Sequence, residues 1–401
     1  MRSILILVIF GLLTLLLGYF ISQQPSYLLI VSVAVPVVFI ACFINPGIGL
    51  YLIIFSMLLS PEFEVGETAG GSLSRGVTLR IEDFLLLIVA ASWFFKTAID
   101  KELGLFLKTP LNKPILYYVL ACLIATVFGI LAGRVNTGTG LLFVLKYIEY
   151  FIVFFMVVNY VRTEKQVKGF ILCLLLTCFI VSIAGISQIQ DGGRVSAPFE
   201  GEVGEPNTFG GYLVFILAIA AGLFYWMKDL KVRQLLVLLV VFIIPPLMFT
   251  QSRASYLAFI PMVFTLGLMM RQRMIITGVM AAMLIVSPLL LPATVTDRIL
   301  YTINQPPEPG QIQVTGDLTI DTSLSARFRS YQKAITEWPR HPLLGYGVTG
   351  HRFLDGQYFR ILLETGLVGL FAFIFLLISI FRMALVHYRQ HQPSDQFKVS
   401  G

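Results

Sequence analysis

Five places along the chain put charged side chains where they could meet a phosphorylated substrate. Arg194 stands in GGRVSAPFEGEVGEPNTFGG. A loop this rich in glycine can bring backbone N–H groups close to an anion, and an arginine beside it adds a bidentate donor for phosphate. The plainer reading is a turn with one solvated arginine. Arg253, in TQSRAS, lies between two apolar runs. A charge this near a bilayer costs several kcal/mol unless it is paired, faces water or snorkels to the surface, so it is a functional candidate by default. Arg327 opens a basic stretch with Arg329, Lys333 and Arg340, suited to anionic headgroups or to a diphosphate. His351, Arg352, Asp355, Gln357 and Arg360 crowd the approach to the last apolar run. Asp355 could cap that helix, act as a base, or do both. Glu364 falls four residues after Arg360, a pairing distance on a helix. The fifth place is Arg80, Glu82 and Asp83, which open another apolar run. Lys146 and Glu149, three residues apart on one helix face, are expected to form a structural pair inside the membrane.

The elements that must carry these residues follow from composition. Of 401 residues, 57% are hydrophobic and only 13% charged, against about 25% charge in soluble domains. The chain therefore reads as a polytopic, all-α membrane protein, and its net charge of +7 requires no nucleic-acid partner. Twelve spans are expected: Ile4–Phe20, Tyr27–Phe43, Ile48–Leu59, Phe84–Phe95, Ile115–Leu131, Leu141–Val161, Phe170–Ile189, Tyr212–Met227, Leu235–Phe249, Tyr256–Met270, Met274–Leu291 and Ile361–Phe381. The N-terminal run lacks a small-residue cleavage site and reads as the first span. Lys and Arg concentrate in alternate loops, at 96–113, 162–168, 228–233, 271–273 and 382–398, which places both termini in the cytoplasm. Cys42, Cys122, Cys173 and Cys178 lie in apolar runs and read as buried hydrophobes.

The opposite, outer side then holds the Gly-rich loop Glu62 to Asp83, the segment Gln190 to Gly211, TQSRAS, and the long stretch Pro292 to Tyr358. Within the last, Leu324, Phe328, Tyr331, Ala334, Ile335 and Trp338 recur at helical spacing and predict an amphipathic helix over Ser323 to Trp338. The chain divides accordingly into helices 1–11 (1–291), a long outer loop (292–357), helix 12 (358–383) and a tail (384–401). Walker, HExxH and DxD patterns are absent, so no metal and no cofactor are expected.

The pattern W-x-x-HPLLGYG followed by DGQYFRILLETGLVG resembles the closing segment of the O-antigen ligase and repeat-unit polymerase superfamily. These membrane enzymes move glycans between lipid carriers outside the cytoplasmic membrane. The resemblance runs from about Arg80 to Phe381. It implies a GT-C-like, metal-independent glycosyltransferase of the bacterial inner membrane, with its site on the outer face and polyprenyl-diphosphate-linked oligosaccharides as substrates. The Arg194 loop, ending in a Pro-Asn pair, resembles the family's arginine loop. TQSRAS resembles its TxSRxx turn, which implies a contact between Arg253 and the lipid diphosphate. Arg327 matches an arginine upstream of hPLxGxG, and Arg80 with Asp83 gives a shorter match. Arg360 and Tyr358 join the expected binding set. Ligases of this superfamily typically carry His-Asn directly before the last helix. Here Asp355-Gly356-Gln357-Tyr358 stands there, which looks more like the polymerase branch, with His351 four residues earlier as a spatial substitute. The implied function is polymerisation of lipid-linked repeat units for a surface polysaccharide, among membrane lipids and with a chain-length regulator and a flippase as partners. A ligase is the runner-up. A lipid-linked oligosaccharide transporter is the rival of another class, though no internal repeat is evident and the charges collect at the outer mouth.

Overall fold

The computed structural model describes residues 26–67, 76–99, 108–198, 204–269, 311–315, 318–319, 322–352, 354 and 356–390. The expected first and eleventh spans and Asp355 lie outside these residues. Nine apolar helices carry the other ten expected spans but one: α1 (Ser26–Ile44), α2 (Pro46–Leu59), α3 (Ile81–Ile99), α4 (Asn112–Leu131), α5 (Thr137–Tyr160), α6 (Glu164–Gln188), α7 (Pro206–Trp226), α8 (Leu230–Phe249) and α9 (Arg253–Met269). The amphipathic α10 (Thr322–Glu337) follows, and the last expected span is α11 (Gln357–Gln390). Among the described residues, α4 to α8 and α11 are long and apolar enough to cross a membrane, and the stretches Val33–Ile44, Pro46–Leu59 and Arg253–Gly267 are shorter. The chain is a multi-pass membrane protein. Leu116, Leu120, Ile124 and Phe128 on α4, like Phe371 and Phe375 on α11, stay exposed, as lipid-facing side chains must.

Helix starts are written locally. Asn45 accepts from the Gly47 N–H ahead of α2, with Pro46 in the first helical position. Asn136 caps α5 by accepting from Gly138 and Thr139, and Thr163 with Gln166 forms a capping box on α6. α3 extends beyond Phe84–Phe95, because Asp83 accepts from the Arg80 N–H at 2.8 Å and fixes the helix start early. The Gly-rich segment after α2 contains an antiparallel ribbon, β1 (Glu62–Glu67) with β2 (Gly76–Arg80), in the register Glu62↔Arg80 with an irregularity at Glu64/Gly66. A second, shorter ribbon pairs β3 (Gln313–Thr315) with β4 (Leu318–Thr319) ahead of α10.

Two apolar cores organise the helices. One joins α1 to α5 with α11 through residues such as Trp93, Tyr118, Met156 and Ile361; the other joins α6, α7 and α8 through Val181, Phe209, Leu213 and Ile243. All four cysteines are buried and free. Lys146 pairs with Asp83 of α3 at 3.0 Å. That contact runs across helices, in addition to the expected partner Glu149 on the same helix, and Glu149 is itself buried at 7% exposure.

The last helix is broken. Gly366 sits at φ 64°, ψ −162° inside α11, a region of backbone space essentially reserved for glycine. The break frees carbonyls and N–H groups that cannot be left bare at membrane depth. The turn His341–Gly347 satisfies them. Tyr346 N–H donates to the Leu363 carbonyl and Gly347 N–H to that of Glu364, each at 2.8 Å; Leu367 N–H donates to Pro342 and Val368 N–H to Leu343. Gly345, at φ 64°, lies so close that a Cβ there would stand 2.3 Å from the Leu363 oxygen. HPLLGYG is therefore the piece that docks into the break.

Candidate active site at one set of helix ends

The connections after α2, α4, α6 and α8, and the segment leading into α11, all fall at one end of the antiparallel helices, and the candidate side chains gather there in two clusters.

The first is built on α6 to α9. α8 carries Pro245 and Pro246 near its end, and the carbonyls at a helix terminus need outside partners. Val195 N–H donates to the Phe249 carbonyl at 2.9 Å, and Arg194 Nε donates to that of Thr250 at 3.0 Å. Arg194 Nη2 also donates to Asn207 Oδ1 at 3.2 Å, so this arginine is held between the α8 terminus and the start of α7. The chain then reverses through Gln251, at φ 48°, and Ser252 Oγ accepts from the Ser255 N–H at 3.3 Å to cap α9. Arg253 is the first residue of that helix and is half-buried. α7 and α9 touch at Gly210, where a Cβ would stand 2.4 Å from Ser255 Oγ. Two helix N-termini and two arginines thus meet in one corner, with Glu205 also at the start of α7, accepting from Thr208 Oγ1 at 2.7 Å. Helix N-termini favour anions through their unpaired N–H groups and the dipole.

The second cluster is built on α4, α10 and α11. His351 Nε2 bonds to the Glu337 carboxylate, and Lys333 approaches the same carboxylate at 3.5 Å. Burial pushes the Glu337 pKa up, but the His351 hydrogen bond and the charges of His351 and Lys333 outweigh it and hold the group below the usual carboxylate value. Glu337 is therefore an anion suited to orient an imidazole. His351 Nδ1 stands 3.3 Å from the Arg352 carbonyl, a contact that suits its protonated form. Tyr346 packs between His341 and His351, with ring centroids at 4.7 and 5.2 Å, and its hydroxyl donates to the Glu337 carbonyl. Arg360 Nε donates to Glu364 Oε1 at 3.1 Å, as the spacing implied, and the guanidinium lies 5.8 Å from the Phe143 ring centroid. Glu364 Oε1 also accepts from the Thr349 N–H, holding Thr349 at φ 64°, a position a β-branched residue takes only when its surroundings impose it. Tyr358 is exposed and meets Phe373 edge-on at 6.0 Å. Arg327 is half-buried on α10. Arg80 lies at the head of α3, 4.0 Å from Glu82.

Sequence reasoning missed Arg134 and His341 as a pair. Arg134 Nη1 donates to His341 Nε2 at 2.6 Å across 207 positions in the chain, and its guanidinium carbon lies 5.8 Å from the Tyr346 ring centroid. Its Nε is buried without a partner among the described residues, an omission that typically costs about 1–3 kcal/mol. Burial, then the charges of Arg134 and Arg340, hold the His341 pKa below the ordinary histidine value. Only the conspicuous His341 of HPLLGYG signalled this site in the sequence. Among the described residues no three His, Cys, Asp or Glu side chains gather as a metal site.

No curated protein matches the chain, and nothing supports the transporter alternative. Residues 238–374 match the family model described as O-antigen ligase, a segment from mid-α8 through Arg253, HPLLGYG, His351 and the α11 break, and over that segment the match supports the O-antigen ligase and polymerase superfamily.

Proposed function

We propose that this protein polymerises polyprenyl-diphosphate-linked oligosaccharide units of a surface polysaccharide at the outer face of a bacterial inner membrane. One observation carries the reading: Arg194, tied to the Thr250 carbonyl and Asn207, stands at the corner where α7 and Arg253 of α9 begin. A diphosphate leaving group carries its charge to such a corner, and preorganised donors at a developing charge are the largest common source of rate enhancement.

In the transfer, a hydroxyl of the incoming unit attacks the anomeric carbon of the growing chain. The bond from that carbon to the diphosphate oxygen breaks, and its electron pair leaves with the polyprenyl diphosphate, held by Arg194 and Arg253. Asp355 or His351 takes the hydroxyl proton. For His351 the accepting atom is Nδ1, because Nε2 faces Glu337, which would steady the imidazolium formed. Arg327, Arg80, Arg360 and Tyr358 complete the proposed binding set. The family model's description favours a second reading, delivery of a finished glycan to a terminal acceptor by a ligase.

The proposed orientation has a direct test. The native cysteines are buried, so single cysteines can be added at exposed Asp191 and Thr137 on one side and at exposed Lys165 and Lys228 on the other. An impermeant thiol reagent should label Asp191→Cys and Thr137→Cys in intact cells, and Lys165→Cys and Lys228→Cys only after permeabilisation. The reverse pattern would put the arginine corner in the cytoplasm and remove the basis of the proposal.

A further inference from the structure

We infer that Arg134, with Arg340 and His341 beside it, is a second lipid-phosphoryl site, which takes the diphosphate of the incoming carrier while the Arg194–Arg253 corner holds that of the growing chain. This inference rests on the polymerase reading, since a polymerase joins two carrier-bound substrates and each brings its own diphosphate.

Three observations support the placement. Arg134 has five N–H donors to satisfy. Among the described residues only Nη1 has an acceptor, the neutral imidazole of His341, and no carboxylate contacts the guanidinium. It is thus a half-buried cation without a carboxylate partner among the described residues, and the exposed Arg340, like Arg134, lies close enough to His341 to act on its charge. Secondly, it stands at the end of a lipid-facing stripe. Leu116, Leu120, Ile124, Phe128 and Leu131 of α4 are all exposed and recur on one helix face, and the chain turns through Gly133 into Arg134 just past the end of that helix. An isoprenoid tail along that stripe would bring its headgroup to the guanidinium. Thirdly, Arg134 touches His341 and Tyr346, and Tyr346 packs on His351, so a headgroup there would deliver its sugar beside the candidate base. The arginine corner is built on other helices, α6 to α9.

The test is calorimetric titration of the full chain in detergent with farnesyl diphosphate. Wild type should take up two equivalents, and Arg134→Gln and Arg253→Ala one each. Arg340→Gln, at an exposed position that leaves the fold intact, should weaken one of the two about fivefold, a check independent of whether Arg134→Gln folds. A single equivalent in wild type, lost in Arg253→Ala and unaffected by Arg134→Gln and Arg340→Gln, would overturn the second site and leave the polymerase corner standing. Two equivalents in Arg253→Ala, with one lost in Arg134→Gln, would keep this site and remove the corner. Dispersed phosphatidylglycerol and inorganic phosphate should each fail to displace either equivalent. Displacement of the Arg134-dependent equivalent by phosphatidylglycerol would make it a site for bilayer phospholipid, and displacement by phosphate a site for free anions; either would contradict the inference.

Discussion

Arg253→Ala should remove nearly all surface polymer, and Arg253→Lys should restore only part of it. Loss of one donor aimed at a developing oxyanion lowers turnover by about a hundred- to a thousandfold, and chain growth compounds that loss at every added unit. Lysine keeps the charge but not the planar fork that meets two phosphate oxygens together. The neighbouring arginine gives the control. Arg194 also closes the α8 terminus through the Thr250 carbonyl, so Arg194→Ala should lower thermal stability as well as activity, while Arg253→Ala acts on activity. Polymer length on a gel and protein abundance in membranes separate the two. Wild-type chain length with Arg253→Lys would mean that a point charge suffices and that bidentate contact is unnecessary.

Gly366→Ala should prevent the protein from accumulating. The backbone conformation there costs about 1–3 kcal/mol for any residue with a Cβ. In addition the new Cβ would lie 2.3 Å from the Leu343 carbonyl carbon and oxygen, and relieving such a clash in packed surroundings costs about 1–3 kcal/mol more. Alanine would also favour closing the helix, which expels the HPLLGYG turn and with it His341, Tyr346 and His351. Gly193→Ala is the matched control, since nothing lies within 4 Å of a Cβ there and abundance should be unchanged. Normal abundance and melting temperature for Gly366→Ala would show that the break tolerates a side chain, and that HPLLGYG is held by something other than the freed backbone groups.

The helices were legible because hydrophobic runs of membrane length are local features. Ten expected spans coincide with described helices, and the amphipathic stripe located α10 to within a residue at each end. The stripe's partners were less legible. Tyr331 stacks on Phe359 at 4.4 Å and Ala334 is fully buried, but Leu324, Phe328 and Ile335 remain exposed. The Arg360–Glu364 pair followed from i, i+4 spacing alone. The long-range partners could not be read this way. Nothing local links Arg134 to His341 or Lys146 to Asp83, and Lys146 has a carboxylate three residues away that the sequence favours. The helix break was half-written: the glycines of HPLLGYG and ETGLVG mark close backbone approach, but periodicity cannot say that one set docks into the other. The Glu62–Asp83 segment shows the same limit, since its ribbon depends on pairing between strands separated by Gly-rich sequence.

The central claim, that the protein extends carrier-bound chains, is tested most directly by analysing the lipid-linked glycans of a cell lacking it. The account predicts accumulation of carriers bearing a single repeat unit, because nothing joins them. The same single-unit lipid should appear in Asp355→Asn or His351→Gln at normal protein abundance, whichever side chain takes the proton. Long polymer still attached to the carrier would contradict the account, because chain growth would then be intact and only the final transfer, the work of a ligase, would have failed.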